Sequence, residues 1–142
     1  MKIDIVNLSG ERIQASRLCR DARAAFRILG AKKTPRSLVI ACLRPQESAR
    51  LKRQYLGSRD GANVLSFRYD DSNAEVILTP SVIEAEAHRN GIPVTQAIRG
   101  MLVHGLLHVA GYHHEEGRGR ERRFEAIEQR IFSKLRIGHS HS

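Results

Sequence analysis

Tryptophan is absent from the chain, and phenylalanine and tyrosine bring the aromatic share to only 5%. A base-stacking platform needs several exposed rings and is poorly supported by such a composition. Cysteine is as scarce. Cys19 and Cys42 are the only two and form no CxxC element, so two thiols in a reducing compartment are expected rather than a disulfide. No apolar run approaches the roughly 20 residues of a membrane helix. The opening Met1-Lys2-Ile3-Asp4-Ile5-Val6 has an acid inside its first apolar stretch, unlike a secretory signal. A soluble, cytoplasmic protein without a membrane partner is the expectation. Acidic residues are in deficit, 15 against 24 Lys and Arg, for a formal charge of +9. The excess is mostly Arg, whose planar fork suits phosphate, so a polyanionic partner is expected, with nucleic acid first.

What is present fits one domain. The length is 142 residues and 41% of them are hydrophobic, enough for one core. Alternation and apolar spacing predict strands over Lys2–Leu8, Ser37–Leu43, Asn63–Phe67 and Glu75–Leu78. Helices are predicted over Glu11–Leu29, Pro45–Leu56, Ser81–His88 (Ser81 as cap), Pro93–Ala110 and Arg120–Leu135. The order β-α-β-α-β-β-α-α-α describes an α+β domain over residues 1–137. Its mixed, mostly four-stranded sheet packs with helices around a central buried helix, and residues 138–142 form a disordered tail.

The most informative segment is His104-Gly105-Leu106-Leu107-His108-Val109-Ala110-Gly111-Tyr112-His113-His114. At about 100° per residue, His104 and His108 lie about 40° apart around a helix and can aim at one point. Gly111 is placed to end that helix in a left-handed residue and turn the chain back. His114 then offers a third imidazole. The spacing H-x-x-x-H-x-x-G-x-x-H is that of the metzincin zinc peptidases, and three neutral ligands leave one position of a zinc ion open. The peptidase glutamate after the first His is replaced by Gly105. That removes the general base and is expected to leave room beside the ion.

The run resembles the signature of the YbeY family of metal-dependent endoribonucleases, H-G-x-L-H-L-x-G-Y-D-H. Asn63-Val64-Leu65-Ser66-Phe67 matches the family's N-V-L-S-F strand, and Glu75-Val76-Ile77-Leu78 takes the place of G-D-I-V-I. The resemblance implies a single α+β domain and one zinc ion on His104, His108 and His114. It also implies action on single-stranded RNA in ribosomal RNA maturation and ribosome quality control, with the small ribosomal subunit as partner. Three positions depart from the family pattern. His113 stands for Asp, Glu75 for Asp, and Leu56 for an Arg thought to serve the reaction.

The candidate catalytic residues are accordingly Arg59 and Arg53 for the phosphate, with His113 and Glu75 for proton transfer. Arg118, Arg120, Arg122 and Arg123 are candidates to guide RNA. Two alternatives stand beside the nuclease: a ribosome-assembly RNA-binding protein with a structural zinc, and a small zinc metallopeptidase.

Overall fold

Side-chain alternation along the strands gives the sheet two different faces. The structure is a computed structural model and describes residues 1–55, 63–112 and 117–138. The elements are β1 (Lys2–Asn7), α1 (Ala15–Leu29), β2 (Ser37–Cys42), α2 (Pro45–Tyr55), β3 (Val64–Arg68), β4 (Asn73–Leu78), α3 (Pro80–Asn90), α4 (Val94–Val109) and α5 (Gly117–Leu135), with a 3-10 turn at Ala31–Lys33. The α+β order expected from the sequence is present. The strands lie in the order β1-β2-β4-β3. β1, β2 and β4 are parallel, and β3 returns antiparallel to β4.

On the first face Leu38, Ile40, Val64, Ala74, Val76 and Leu78 join the main core with residues of α1, α3, α4 and α5. On the second, Ala41, Leu65 and Ile77 make a smaller cluster with Leu51 of α2 and Phe67. Phe67 stacks on Tyr69, with Tyr55 edge-on to it. β2, β3 and β4 therefore send alternate residues to two separate apolar sites, as the period of two requires, while β1 adds Ile3 and Ile5 to the main core only. Among the described residues no helix is long and apolar enough to cross a membrane. Cys19 and Cys42 are both free, and burial pushes the Cys42 thiol up to about 11.

Several element boundaries differ from the sequence reading by a few residues, among them three helix starts. α1 begins at Ala15 rather than Glu11 because Asn7 and Ser9 divert the preceding backbone. Asn7 Oδ1 accepts from Ser9 N–H, Ser9 Oγ accepts from Glu11 N–H, and Asn7 Nδ2 donates to Glu11 O. Such side-chain bonds compete with a helical turn. α3 begins at Pro80, with Thr79 in the capping position and Ser81 already inside. The Thr79 hydroxyl does not cap; it pairs with Ser48 Oγ of α2 at 2.6 Å. α5 begins at Gly117, ahead of the expected Arg120.

α4 packs against α1, α3, α5, β3 and β4, which explains why its sequence is apolar on nearly every side. Its one buried charge, Arg99, meets Asp21 of α1 through Nε at 2.7 Å and Nη2 at 3.1 Å, and also donates to Leu135 O at 2.8 Å. At the β3–β4 turn, Asp70 accepts backbone N–H bonds from Ser72 and Asn73. The Ser72 N–H, with Asn73 behind it, holds the Asp70 carboxyl below its ordinary 3.8. A depressed carboxylate contributes stability above its unfolded value and loses it as pH falls through the folded one. Asp70→Asn is therefore expected to flatten the acid limb of the stability–pH curve below about 3.8, as measured by urea melts.

Candidate metal centre

His104 and His108 owe their positions to how closely α4 approaches the sheet. A Cβ on Gly105 would stand 2.8 Å from Val76 Cγ1, 3.0 Å from Val64 Cγ2 and 3.1 Å from Ser66 Oγ. Only glycine allows the helix to lie this close, and Ser66 Oγ donates to the Gly105 carbonyl at 2.9 Å. The expectation that Gly105 leaves room beside an ion is thus corrected: Val76, Val64 and Ser66 fill the space over it. At the other end, Gly111 has φ +95°. Its N–H donates to His108 O, and Tyr112 N–H donates to Leu107 O. This pair of bonds is the Schellman stop, and it ends α4 just past His108 as the sequence indicated.

The two imidazoles converge. His104 Nε2 and His108 Nε2 are 3.3 Å apart, and Phe124 of α5 lies 5.2 Å from each ring. One turn further along α5, Glu128 Oε2 is 3.3 Å from His104 Nδ1. The carboxylate holds the ring proton on Nδ1, which leaves Nε2 with its lone pair directed at the His108 ring. Two nitrogen ligands at 2.0–2.1 Å on a tetrahedral ion would be separated by roughly 3.3–3.4 Å, so the pair fits a shared cation. The carboxylate–histidine arrangement is the usual support for such a ligand. Among the described residues no group of three or more His, Cys, Asp or Glu gathers to hold a metal. The third expected ligand, His114, lies outside the described residues, as do His113 and Arg59.

The remaining candidates are scattered. Glu75 is on the second face of the sheet, in register with Phe67 and Val39, and its Oε1 accepts from the Tyr69 hydroxyl at 2.7 Å. Alternation puts it opposite Val76, which faces α4, so it is not brought to the histidine pair. Arg53 is exposed on α2, the helix of that same second face. Arg122 and Arg123 are exposed on α5 directly before Phe124. The side chains of Arg118 and Arg120 lie outside the described part of the structure. Tyr112 packs against the core beneath Lys33, whose Nζ is 4.5 Å from the ring centroid.

Sequence reading missed Glu128. It is one of several acids on an amphipathic helix, and its only signal is an i, i+4 relation to Phe124. It also missed a cavity of about 300 Å³ that begins at His104 and Glu128 and runs between α3, α4 and α5 to Asn63 and Glu86.

Comparison with known proteins gives the chain a family. The family model described as Endoribonuclease YbeY matches residues 5–136. The Endoribonuclease YbeY of Geobacter sulfurreducens is 34% identical, with 97% of this chain and 98% of that protein covered. That of Paraburkholderia phytofirmans is 37% identical, over 69% of this chain and 67% of the other. A solution structure from Thermotoga maritima shares the fold, with a TM-score of 0.60 at 19% identity and coverage of 98% and 96%. With a family model spanning nearly the whole chain, and the family's two spaced histidines converging at the end of a buried helix, the chain belongs to the YbeY family of metal-dependent endoribonucleases.

Proposed function

We propose that this protein is a zinc-dependent endoribonuclease that cuts single-stranded RNA during ribosomal RNA maturation and quality control in the cytoplasm, with the small ribosomal subunit as partner. Family membership implies a metal cofactor and a role in RNA processing. The observation that carries the reading is the 3.3 Å approach of His104 Nε2 to His108 Nε2 with Glu128 behind His104. His104, His108 and His114 would hold the ion, and imidazole donors suit zinc. Such an ion, when bound, supplies Lewis acidity and lowers the pKa of water.

The chain's own residues do the rest. Glu128 fixes the tautomer and orientation of His104. Phe124 packs on both rings and keeps water from one side of them. Arg122 and Arg123 draw the phosphate backbone along α5. Arg59 is the candidate to neutralise charge growing on the phosphate, and His113 to move the proton.

The test is incubation of metal-analysed protein with single-stranded RNA beside the triple variant His104→Ala/His108→Ala/His114→Ala. Cleavage is expected from the parent and none from the variant; equal activity would defeat the nuclease reading. In the same assay series, Glu128→Gln should hold the metal about 10- to 100-fold more weakly in chelator competition while remaining folded.

A further inference from the structure

In a chain of net charge +9, the cavity beside His104 has no lysine or arginine among its described lining residues. Its charged groups are carboxylates, Glu86 at one end and Glu128 at the other. These repel phosphate, so the cavity serves some other part of a ligand. At about 300 Å³ it is at the small end of sites that enclose one small molecule. Ile83, Met101 and Phe132 supply apolar walls.

The polar wall has a defined character. Asn63 Nδ2 donates to Glu86 Oε1, which fixes the amide: its NH2 faces the carboxylate and its carbonyl is left over. That carbonyl oxygen, Oδ1, is buried and has no hydrogen-bond partner among the described residues, on a residue only 8% exposed. A buried acceptor without a donor is unfavourable and rare in a folded protein. Asn63 and Glu86 both line the cavity, so a ligand that brings donors meets the Glu86 carboxylate directly and can satisfy the Asn63 carbonyl by a small turn of that side chain.

We propose that this cavity receives the unstacked base of a nucleotide next to the scissile phosphate and selects bases with adjacent N–H donors, guanine foremost. This deepens the endoribonuclease reading and rests on it. Guanine offers N1–H and its 2-amino group side by side, matching a carboxylate and an amide carbonyl. Uracil offers a single N3–H between two carbonyls, which would face Glu86 with like polarity. Single-stranded RNA is commonly read through such edges of splayed-out bases between apolar walls. His104, on the cavity's wall, sets the distance from the base to the reacting phosphate.

The experiment uses the two methionines of the chain. Met101 lines the cavity and Met1 does not. The full chain, labelled with 13C at its methionine methyls, is titrated with guanosine and with uridine. Guanosine is expected to shift the Met101 signal and leave Met1 still, and uridine at the same concentration to shift neither. Glu86→Gln should weaken guanosine at least roughly fivefold. In cleavage of oligouridine carrying one guanosine, the parent should cut beside the guanosine at least roughly fivefold faster than elsewhere, and Glu86→Gln should level the rates.

Equal shifts by both nucleosides, or none by either, overturn the proposal, and the parent-protein titration does so without relying on any variant's folding. Because that titration needs no catalysis, the two readings fail separately. RNA cleavage without base preference and with a silent Met101 sinks the cavity and spares the nuclease. Guanosine binding by a chain that cuts no RNA sinks the proposal as stated, since there is then no scissile phosphate for the base to flank.

Discussion

Replacing Arg99 with methionine is expected to destabilise the fold by about 3–5 kcal/mol, a large part of the roughly 5–15 kcal/mol typical of a domain. The reason is what the substitution leaves behind. Asp21 is 1% exposed, and its two oxygens accept from Arg99 at 2.7 and 3.1 Å. Without the guanidinium, a buried carboxylate remains without the cation that pairs with it. The Leu135 carbonyl loses its donor as well. The control is Asp21→Asn/Arg99→Met, which removes both charges and should recover part of the loss, because a buried pair is worth much less than the penalty of orphaning one partner. Urea melts of the three proteins decide it. A single variant as stable as the parent would mean that the pair is solvated or dispensable.

Gly105→Glu is expected to unfold the protein rather than turn it into a peptidase. On paper the change completes an H-E-x-x-H motif. In the fold, the new Cβ meets Val76 Cγ1 at 2.8 Å and Val64 Cγ2 at 3.0 Å. Both valines are buried and stiff at χ1, so neither yields without moving β3 or β4. Overpacking alone, as in Gly105→Ala, should cost about 1–3 kcal/mol. The glutamate adds an unpaired carboxylate pressed against apolar strands, for a further loss of roughly 3 kcal/mol or more. Thermal melts would show Gly105→Ala lowered and Gly105→Glu collapsed, with no casein hydrolysis from either. A folded, casein-cleaving Gly105→Glu would show that the close helix–sheet contact is not what excludes the glutamate.

These two sites illustrate which parts were legible in the sequence. Strand alternation and helical spacing located every element to within a few residues, because the physics of burial is written in local periods of 2 and 3.6. The convergence of His104 and His108 was legible for the same reason, as an i, i+4 relation on one helix. Gly105 was visible as a missing glutamate, but its structural reason was not, since Val76 and Val64 come from other elements. Asp21 and Arg99 each interrupt an apolar stripe with a charge of opposite sign. That hint becomes a pair only once α1 and α4 are known to cross. The pairings of Glu128 with His104 and of Asn63 with Glu86 were not legible locally, since the partners are 24 and 23 residues apart. The scarcity of aromatics argued against a stacking surface, yet Tyr55, Phe67 and Tyr69 still gather on the second face of the sheet.

The capped end of α4 bears on how the protein meets a polyanion. The Val109 carbonyl accepts from Arg68, and the Ala110 carbonyl from Lys33. These cations answer the negative pole of the helix. Part of the formal positive charge is therefore committed inside the molecule. Counterion release on binding RNA will report the arginines left on the outside, such as Arg122 and Arg123, and its dependence on ionic strength will be shallower than the net charge suggests.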